Sequence, residues 1–181
     1  MIEVRWHGRG GQGAFTAARL LGAAALCDKK FALAFPSFGP ERRGAPILAF
    51  TRIDGRRIVD RSALRSCDFA VVLDETLMGP HAADGIRQGG ALLVNSVRPP
   101  VEWASLGVRV LTVDAGAVAR AVLGRAIVNT GMIGALLAAS GIVSLEAGLR
   151  AVQSEMRPAL AEKNGELLRR CHDLMKEQLG G

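Results

Sequence analysis

The residues best placed to do chemistry begin at His7. The run HGRGGQG, residues 7–13, sets Gly8, Gly10 and Gly13 at G-x-G-x-x-G spacing, with Arg9, Gly11 and Gln12 between them. It follows the short apolar stretch MIEVRW and precedes QGAFTAARLLGAAALC, which reads as a helix. Glycines in such a turn adopt backbone angles that a β-carbon forbids and let the chain approach a ligand or a neighbouring element closely. The helix behind the turn aims unpaired N–H groups and its positive dipole end at whatever sits in front, which suits an anion. A second basic element is the loop PSFGPERRGAP, stiffened by Pro36, Pro40 and Pro46, which carries Arg42 and Arg43. Pre-organised guanidinium groups clamp phosphates and carboxylates, although Glu41 beside them offers an internal partner.

Three uses of the glycine turn stay open on residues alone: packing helix on sheet, cradling an anion, or binding a dinucleotide. The nicotinamide reading lacks its second half. A ribose-binding acid belongs at the end of the second strand, and that strand, FALAF, ends in Pro36-Ser37, while Asp28 comes before it, next to Lys29. Gln12 suits either a ligand contact or a local cap. Asp74, at the end of FAVVLD, is expected to cap the helix beginning at Glu75. Asn95 and Ser96 end the next strand on the same edge, and Asn129 and Thr130 are expected to cap the helix they precede. His7 has no Ser or Cys partner for nucleophilic work, and His81 and His172 show no metal spacing. Cys27, Cys67 and Cys171 stand far apart, so they spell neither a zinc site nor a cluster-binding run and read as buried reduced thiols.

The elements that must position these residues follow from apolar patterning. IEVRW and FALAF read as strands. ILAFTRIDGRRIVD reads as a hairpin turning at Asp54-Gly55, and DETLMGPHAADGIRQGG as one helix and a turn. FAVVLD, ALLVNS and RVLTVD are continuous apolar runs ending in a polar residue, the signature of buried parallel strands meeting ligand-facing loops. After Asp114 the pattern turns helical, through AGAVARAVLG, NTGMIGALLAASG, SLEAGLRAVQSEM and ALAEKNGELLRRCHDLMKEQL. The expectation is an α/β fold: one Rossmann-like domain over residues 1–181, with a mostly parallel sheet, a β-hairpin and a helical C-terminal section. FGPERRGAP and GRGGQG, read as following adjacent strands, are expected at one sheet edge, bringing Arg42 or Arg43 near Gly10 to Gln12.

Composition narrows the function. A hydrophobic share of 49% against 22% charged residues is that of an ordinary globular chain. No apolar run spans a bilayer and the N-terminus lacks a secretory pattern, so a cytoplasmic protein without membrane contact is expected. The net charge of +6 is mostly arginine and suggests acidic partners. Scattered arginines, few aromatics and no tyrosine argue against nucleic acid.

The quoted blocks also carry a resemblance. HGRGGQGAFTAARLLGAAAL, FPSFGPERRGAPILAFTRI, LVNS and DAGAVARAVLGRAIVNTGMIGALL, in this order, resemble the gamma subunit of pyruvate:ferredoxin oxidoreductase, in the wider 2-oxoacid:acceptor oxidoreductase family, and GPERRGAP resembles its pyruvate branch. Gly131, where similar chains often have alanine, and Gly116-Ala117, where a threonine is common, depart from the pattern. The resemblance implies a non-autonomous subunit working with alpha, beta and delta-type subunits. The complex converts a 2-oxoacid, coenzyme A and oxidised ferredoxin to acyl-CoA, carbon dioxide and reduced ferredoxin. Thiamine diphosphate, magnesium and iron–sulfur clusters then lie on partner subunits, consistent with the missing G-D-G…N-N run and cysteine set here. This chain would contribute Gly8, Arg9, Gly10, Gly11, Gln12, Gly13, Arg42, Arg43 and Asn95 to an anion-ready surface beside coenzyme A or a partner's carboxylate, and would assist assembly. The alternatives are a free-standing nucleotide-binding oxidoreductase and a basic nucleic-acid-binding protein.

Overall fold

The computed structural model describes residues 1–37, 44–62 and 64–180. Six strands, β1 (Ile2–Arg9), β2 (Phe31–Pro36), β3 (Pro46–Asp54), β4 (Cys67–Val72), β5 (Ile86–Asn95) and β6 (Arg109–Val113), form one sheet in the order β2-β3-β1-β4-β5-β6. The pairs β1–β4, β4–β5 and β5–β6 are parallel, whereas β3 runs antiparallel to both β1 and β2. The helices are α1 (Ala14–Cys27), α2 (Pro80–Ala83), α3 (Ala115–Leu123), α4 (Asn129–Ser140), α5 (Leu145–Glu155) and α6 (Pro158–Gln178). The α/β class, the largely parallel strand directions and the helical C-terminal section agree with the sequence expectation.

Two local expectations do not hold. No strand follows Asp54-Gly55. The hairpin is made by β2 and β3, with Phe31 opposite Asp54 and Pro36 opposite Ala49. The reason is geometric: β1 and β2 flank β3 on both sides, which leaves residues 55–62 no place to pair back on β3. The segment read as one helix and a turn divides into a 3₁₀ turn (Glu75–Leu77), the short α2 and the first half of β5. Pro80, at the first position of α2, supplies the break, since its ring cannot continue a preceding helical turn.

Period-two alternation sorts β1 between two environments. Val4 and Trp6 point into the large core under the helices, while Glu3, Arg5 and His7 point to the other face. Trp6 Nε1 donates to Thr51 Oγ1 at 3.1 Å, and that hydroxyl donates to the Ala18 carbonyl at 3.0 Å, so one short chain of bonds pins β1, β3 and α1 together. Each such buried bond contributes about 1 kcal/mol net, and leaving one partner unsatisfied costs more. On the far face, Ala70, Val72, Leu92 and Val94 form a smaller cluster covered by α2 and the 3₁₀ turns. Beneath β1 and β3 the same face is ionic: Arg52 Nε lies 2.8 Å from Glu3 Oε1, with both side chains almost wholly buried, and Arg87 bridges Glu3 and Asp68.

Helix α4 is buried along most of its length and crosses α6 at close range. A β-carbon on Gly134 would lie 2.0 Å from the Leu168 carbonyl oxygen, so only glycine fits this crossing. At Gly131 it would meet Cys171 Sγ at 2.9 Å and Leu167 Cδ1 at 3.1 Å. The sequence departure at Gly131 therefore sits where α6 presses on α4.

Candidate functional site

A cleft of about 670 Å³ lies at the carboxyl ends of the parallel strands, where ligands sit in open α/β sheets. Its lining brings together Gln12 and Gly13 of the glycine turn, Asp74 after β4, Asn95 and Ser96 at the end of β5, Asp114 after β6, and Arg120 and Asn129 from the helices beyond. Segments far apart in the chain converge because β1, β4, β5 and β6 all point the same way.

The glycines divide their work. A β-carbon on Gly8 would press Ala14 Cβ at 3.1 Å, so this residue lets α1 close on β1. Gly10 accepts from Gly44 N and donates to the Ala45 carbonyl, tying the turn to the segment that enters β3. Gly11 and Gly13 have φ of 95° and 80°, the left-handed region that favours glycine. Gly13 begins α1 without any side-chain cap, and a β-carbon there would come within 2.8 Å of Asn129 Nδ2 at the start of α4. Helix α4 likewise starts with no side-chain cap. Two helix N-termini, neither bonded by a side chain of its N-cap residue, thus meet at the cleft and direct partial positive charge into it.

Gln12 is occupied inside the turn. Its Oε1 accepts from Arg9 N at 2.7 Å and its Nε2 donates to Asp74 Oδ2 at 2.8 Å. Arg9 also reaches Asp74 Oδ2, at 3.2 Å, and donates to Thr76 Oγ1 and to the Gly44 carbonyl. Asp74 caps the 3₁₀ turn as expected, accepting from Thr76 N at 3.0 Å, and also grips the glycine turn, which sequence reasoning missed. Burial raises its pKa, but hydrogen bonds from Thr76 and Gln12 and the charge of Arg9 outweigh that and hold it below the ordinary carboxylate value. Asn95 links the end of β4 to the first turn of α3, donating to the Leu73 carbonyl and accepting from Gly116 N, both at 3.1 Å.

The cleft's carboxylates are consumed in the same way. Asp114 caps α3 through Ala117 N at 2.7 Å, and Glu75 accepts from Ser96 Oγ. Arg120 lines the cleft with no ion-pair partner among the described residues. It was not singled out from sequence, because its helical stretch reads as ordinary amphipathic surface. Asn129 and Thr130 do not cap α4 from outside as expected. Val128 holds that position, Asn129 is the first helical residue, and its Oδ1 accepts from the adjacent Thr130 N at 2.9 Å.

Arg42 and Arg43 lie outside the described residues, as does Glu41. The premise that placed them beside the turn needs one correction: β1 and β2 are not adjacent, because β3 lies between them. The edge is nonetheless shared, since Pro46 pairs with Arg9 and the segment leaving the loop at Gly44–Ala45 bonds to Gly10.

His7 sits under the turn on the far sheet face. Burial and the neighbouring Arg5 lower its pKa to about 4. Its Nε2 accepts from Arg5 Nε at 3.0 Å, so the neutral ring carries its proton on Nδ1. Cys67 and Cys171 are buried with thiols pushed upward by desolvation, that of Cys171 to about 12. Among the described residues no three His, Cys, Asp or Glu side chains converge as metal ligands, and no helix is long and apolar enough to cross a membrane.

A glycine turn after the first strand, the N-termini of α1 and α4 and Arg120, gathered at the carboxyl ends of the parallel strands, define the cleft of an α/β domain. A model of the pyruvate ferredoxin/flavodoxin oxidoreductase family matches residues 3–174, and the chain belongs to that family, as a subunit of the gamma type. It is 43% identical to pyruvate synthase subunit PorC of Methanocaldococcus jannaschii, over 99% of this chain and 100% of that one. It is 42% identical to the pyruvate/ketoisovalerate oxidoreductases common subunit gamma of Thermococcus kodakarensis, over 92% of each chain. The crystal structure of pyruvate oxidoreductase subunit PORC from Thermotoga maritima superimposes with a TM-score of 0.85 at 39% identity, covering 95% of both chains.

Proposed function

We propose that this chain, as the gamma subunit of a ferredoxin-dependent 2-oxoacid oxidoreductase acting on pyruvate, supports assembly of the complex and flanks its coenzyme A site. In this reading one domain, residues 1–181, works in the cytoplasm beside alpha, beta and delta-type subunits. The observation that carries it is the convergence of the uncapped ends of α1 and α4 with Arg120 on one cleft. Phosphates of coenzyme A are anions that such a cleft can hold through N–H groups and one full positive charge. Arg9 and Gln12 brace the glycine turn rather than reach outward, so backbone N–H groups near Gly11 and Gly13 are the contacts offered to the ligand. Arg42 and Arg43, which precede Gly44 in the chain, would add their charge to the same ligand. Thiamine diphosphate and the iron–sulfur clusters supply decarboxylation and electron transfer from the other subunits. The Thermococcus relative, named as common to pyruvate and ketoisovalerate oxidoreductases, favours a gamma chain that does not choose the 2-oxoacid.

The test is reconstitution. The isolated subunit should show no pyruvate oxidation, no cluster absorbance and no bound flavin, and turnover by it alone would sink the reading. In the complex, Arg120→Ala, Arg42→Ala or Arg43→Ala should raise the KM for coenzyme A roughly tenfold to a hundredfold, the worth of one charge-assisted contact. Gel filtration run alongside separates that effect from loosened assembly. Normal assembly with wild-type coenzyme A dependence in all three variants would leave the cleft without this role.

A further inference from the structure

We infer that the strap between β3 and β4 is a docking surface for an acidic face of another subunit of the complex. Residues 55–62 and 64–66 leave the sheet at Asp54 and return at Cys67, on the edge opposite the cleft. The strap carries Arg56, Arg57, Arg61 and Arg65, all exposed, and their side chains make no hydrogen bond or ion pair among the described residues. Its one acid, Asp60, is exposed but tied to the sheet. Asp60 Oδ2 lies 3.3 Å from Arg52 Nη2, its carbonyl accepts from Arg52 Nη1 at 2.6 Å, and its Oδ1 accepts from Ser62 N at 2.8 Å. Arg52 is itself buried and paired with Glu3.

The physical consequence is a held array rather than a solvated charge run. The Arg52 anchor fixes the middle of the strap to the sheet and pairs with the strap's one carboxylate, which makes no ion pair with the neighbouring arginines among the described residues. Four positive charges are left facing outward from a chain whose net charge is only +6. Val59 stands among them in the chain and is 83% exposed, an apolar residue framed by arginines, the residue type enriched at protein interfaces. The strap has no aromatic side chain on which a nucleic-acid base could stack. Complementary charge raises association rate and fixes register between proteins, and an acidic protein surface is the partner this array fits. The inference rests on the subunit reading above.

The experiment uses the complete complex, purified through a tag on another subunit. The quadruple reversal Arg56→Glu, Arg57→Glu, Arg61→Glu and Arg65→Glu should weaken retention of this chain on the order of tenfold or more, in proportion to the charges lost. The quadruple lysine variant, which keeps the charge, should be retained within a few-fold of the natural chain. Retention of the natural chain should fall with added salt, while that of the reversed variant, checked for folding by circular dichroism, should not fall and should rise as salt screens its repulsion from the acidic face. Wild-type retention and salt dependence of the reversed variant would overturn the inference alone. Failure of the unmodified chain to co-purify with any subunit would overturn it together with the subunit reading. Normal retention with a raised KM for ferredoxin, and an unchanged rate with a small dye acceptor, would assign the surface to the electron carrier and overturn the subunit assignment.

Discussion

Gln12 Nε2 donates to Asp74 Oδ2 at 2.8 Å, which joins the glycine turn after β1 to the end of β4 across 62 residues of chain. That bond orients the Gln12 amide, and its Oε1 in turn holds Arg9 N, so the turn's shape depends on a carboxylate from a neighbouring strand. Asp74→Ala should therefore destabilise the protein by about 1–3 kcal/mol in denaturant unfolding, since Gln12, Arg9 and Thr76 all lose an acceptor. If the variant unfolds at the wild-type midpoint, the network does not hold the turn.

The same carboxylate sets a pH dependence. Its folded pKa lies below the ordinary 3.8, so its stabilising contribution is complete above that value and is lost as pH falls further, through the folded pKa. Wild type and Asp74→Asn should differ in stability at neutral pH and converge as pH drops well below 3.8. A constant difference across that range would show that the charge is not what the turn uses.

His7 predicts a dependence in a separate window. Its pKa falls from 6.5 in the unfolded chain to about 4 in the fold, through burial and then the charge of Arg5. The folded state binds fewer protons between these values, so stability is full above 6.5, declines as pH falls from 6.5 to 4, and levels off below. The span amounts to roughly 3 kcal/mol. His7→Gln should flatten the stability profile there, and an NMR titration of the wild-type ring should give a midpoint near 4. A midpoint near 6.5 would mean the ring is not held neutral by its surroundings.

Close contact between α4 and α6 gives a graded pair. Gly134→Ala sets a methyl against the Leu168 backbone carbonyl, whereas Gly131→Ala meets the ends of the Cys171 and Leu167 side chains. Overpacking typically costs about 1–3 kcal/mol, more where backbone has to move. Gly134→Ala should be the more destabilising by thermal melting, and the reverse order would contradict the helix crossing described.

Nicotinamide cofactors should not bind at micromolar affinity. Strand β2 stands at the sheet edge, separated from β1 by the antiparallel β3, and ends in Pro36-Ser37 without a ribose-binding acid. Calorimetry of the isolated subunit with NAD and NADP checks this, and a clear isotherm would return the glycine turn to dinucleotide chemistry.

Much of this protein is determined by its sequence alone. The continuous apolar runs FAVVLD, ALLVNS and RVLTVD read as buried strands, the amphipathic segments that form α3, α5 and α6 as helices, and HGRGGQG as a turn between strand and helix, because each signal is local. The cap at Asp74 was legible for the same reason, two residues from the N–H it satisfies. Tertiary structure decided the rest. Which strand pairs with β3 depends on which edges are free, so Asp54-Gly55, a good hairpin signal in isolation, became the start of a strap once β1 and β2 had taken both edges. The second grip of Asp74 on Gln12, the pairing of Arg52 with Glu3, and the meeting of the α1 and α4 ends beside Arg120 all join residues distant in the chain. No local pattern encodes these contacts. They follow from the parallel directions of β1, β4, β5 and β6, which bring their carboxyl ends to one edge of the sheet.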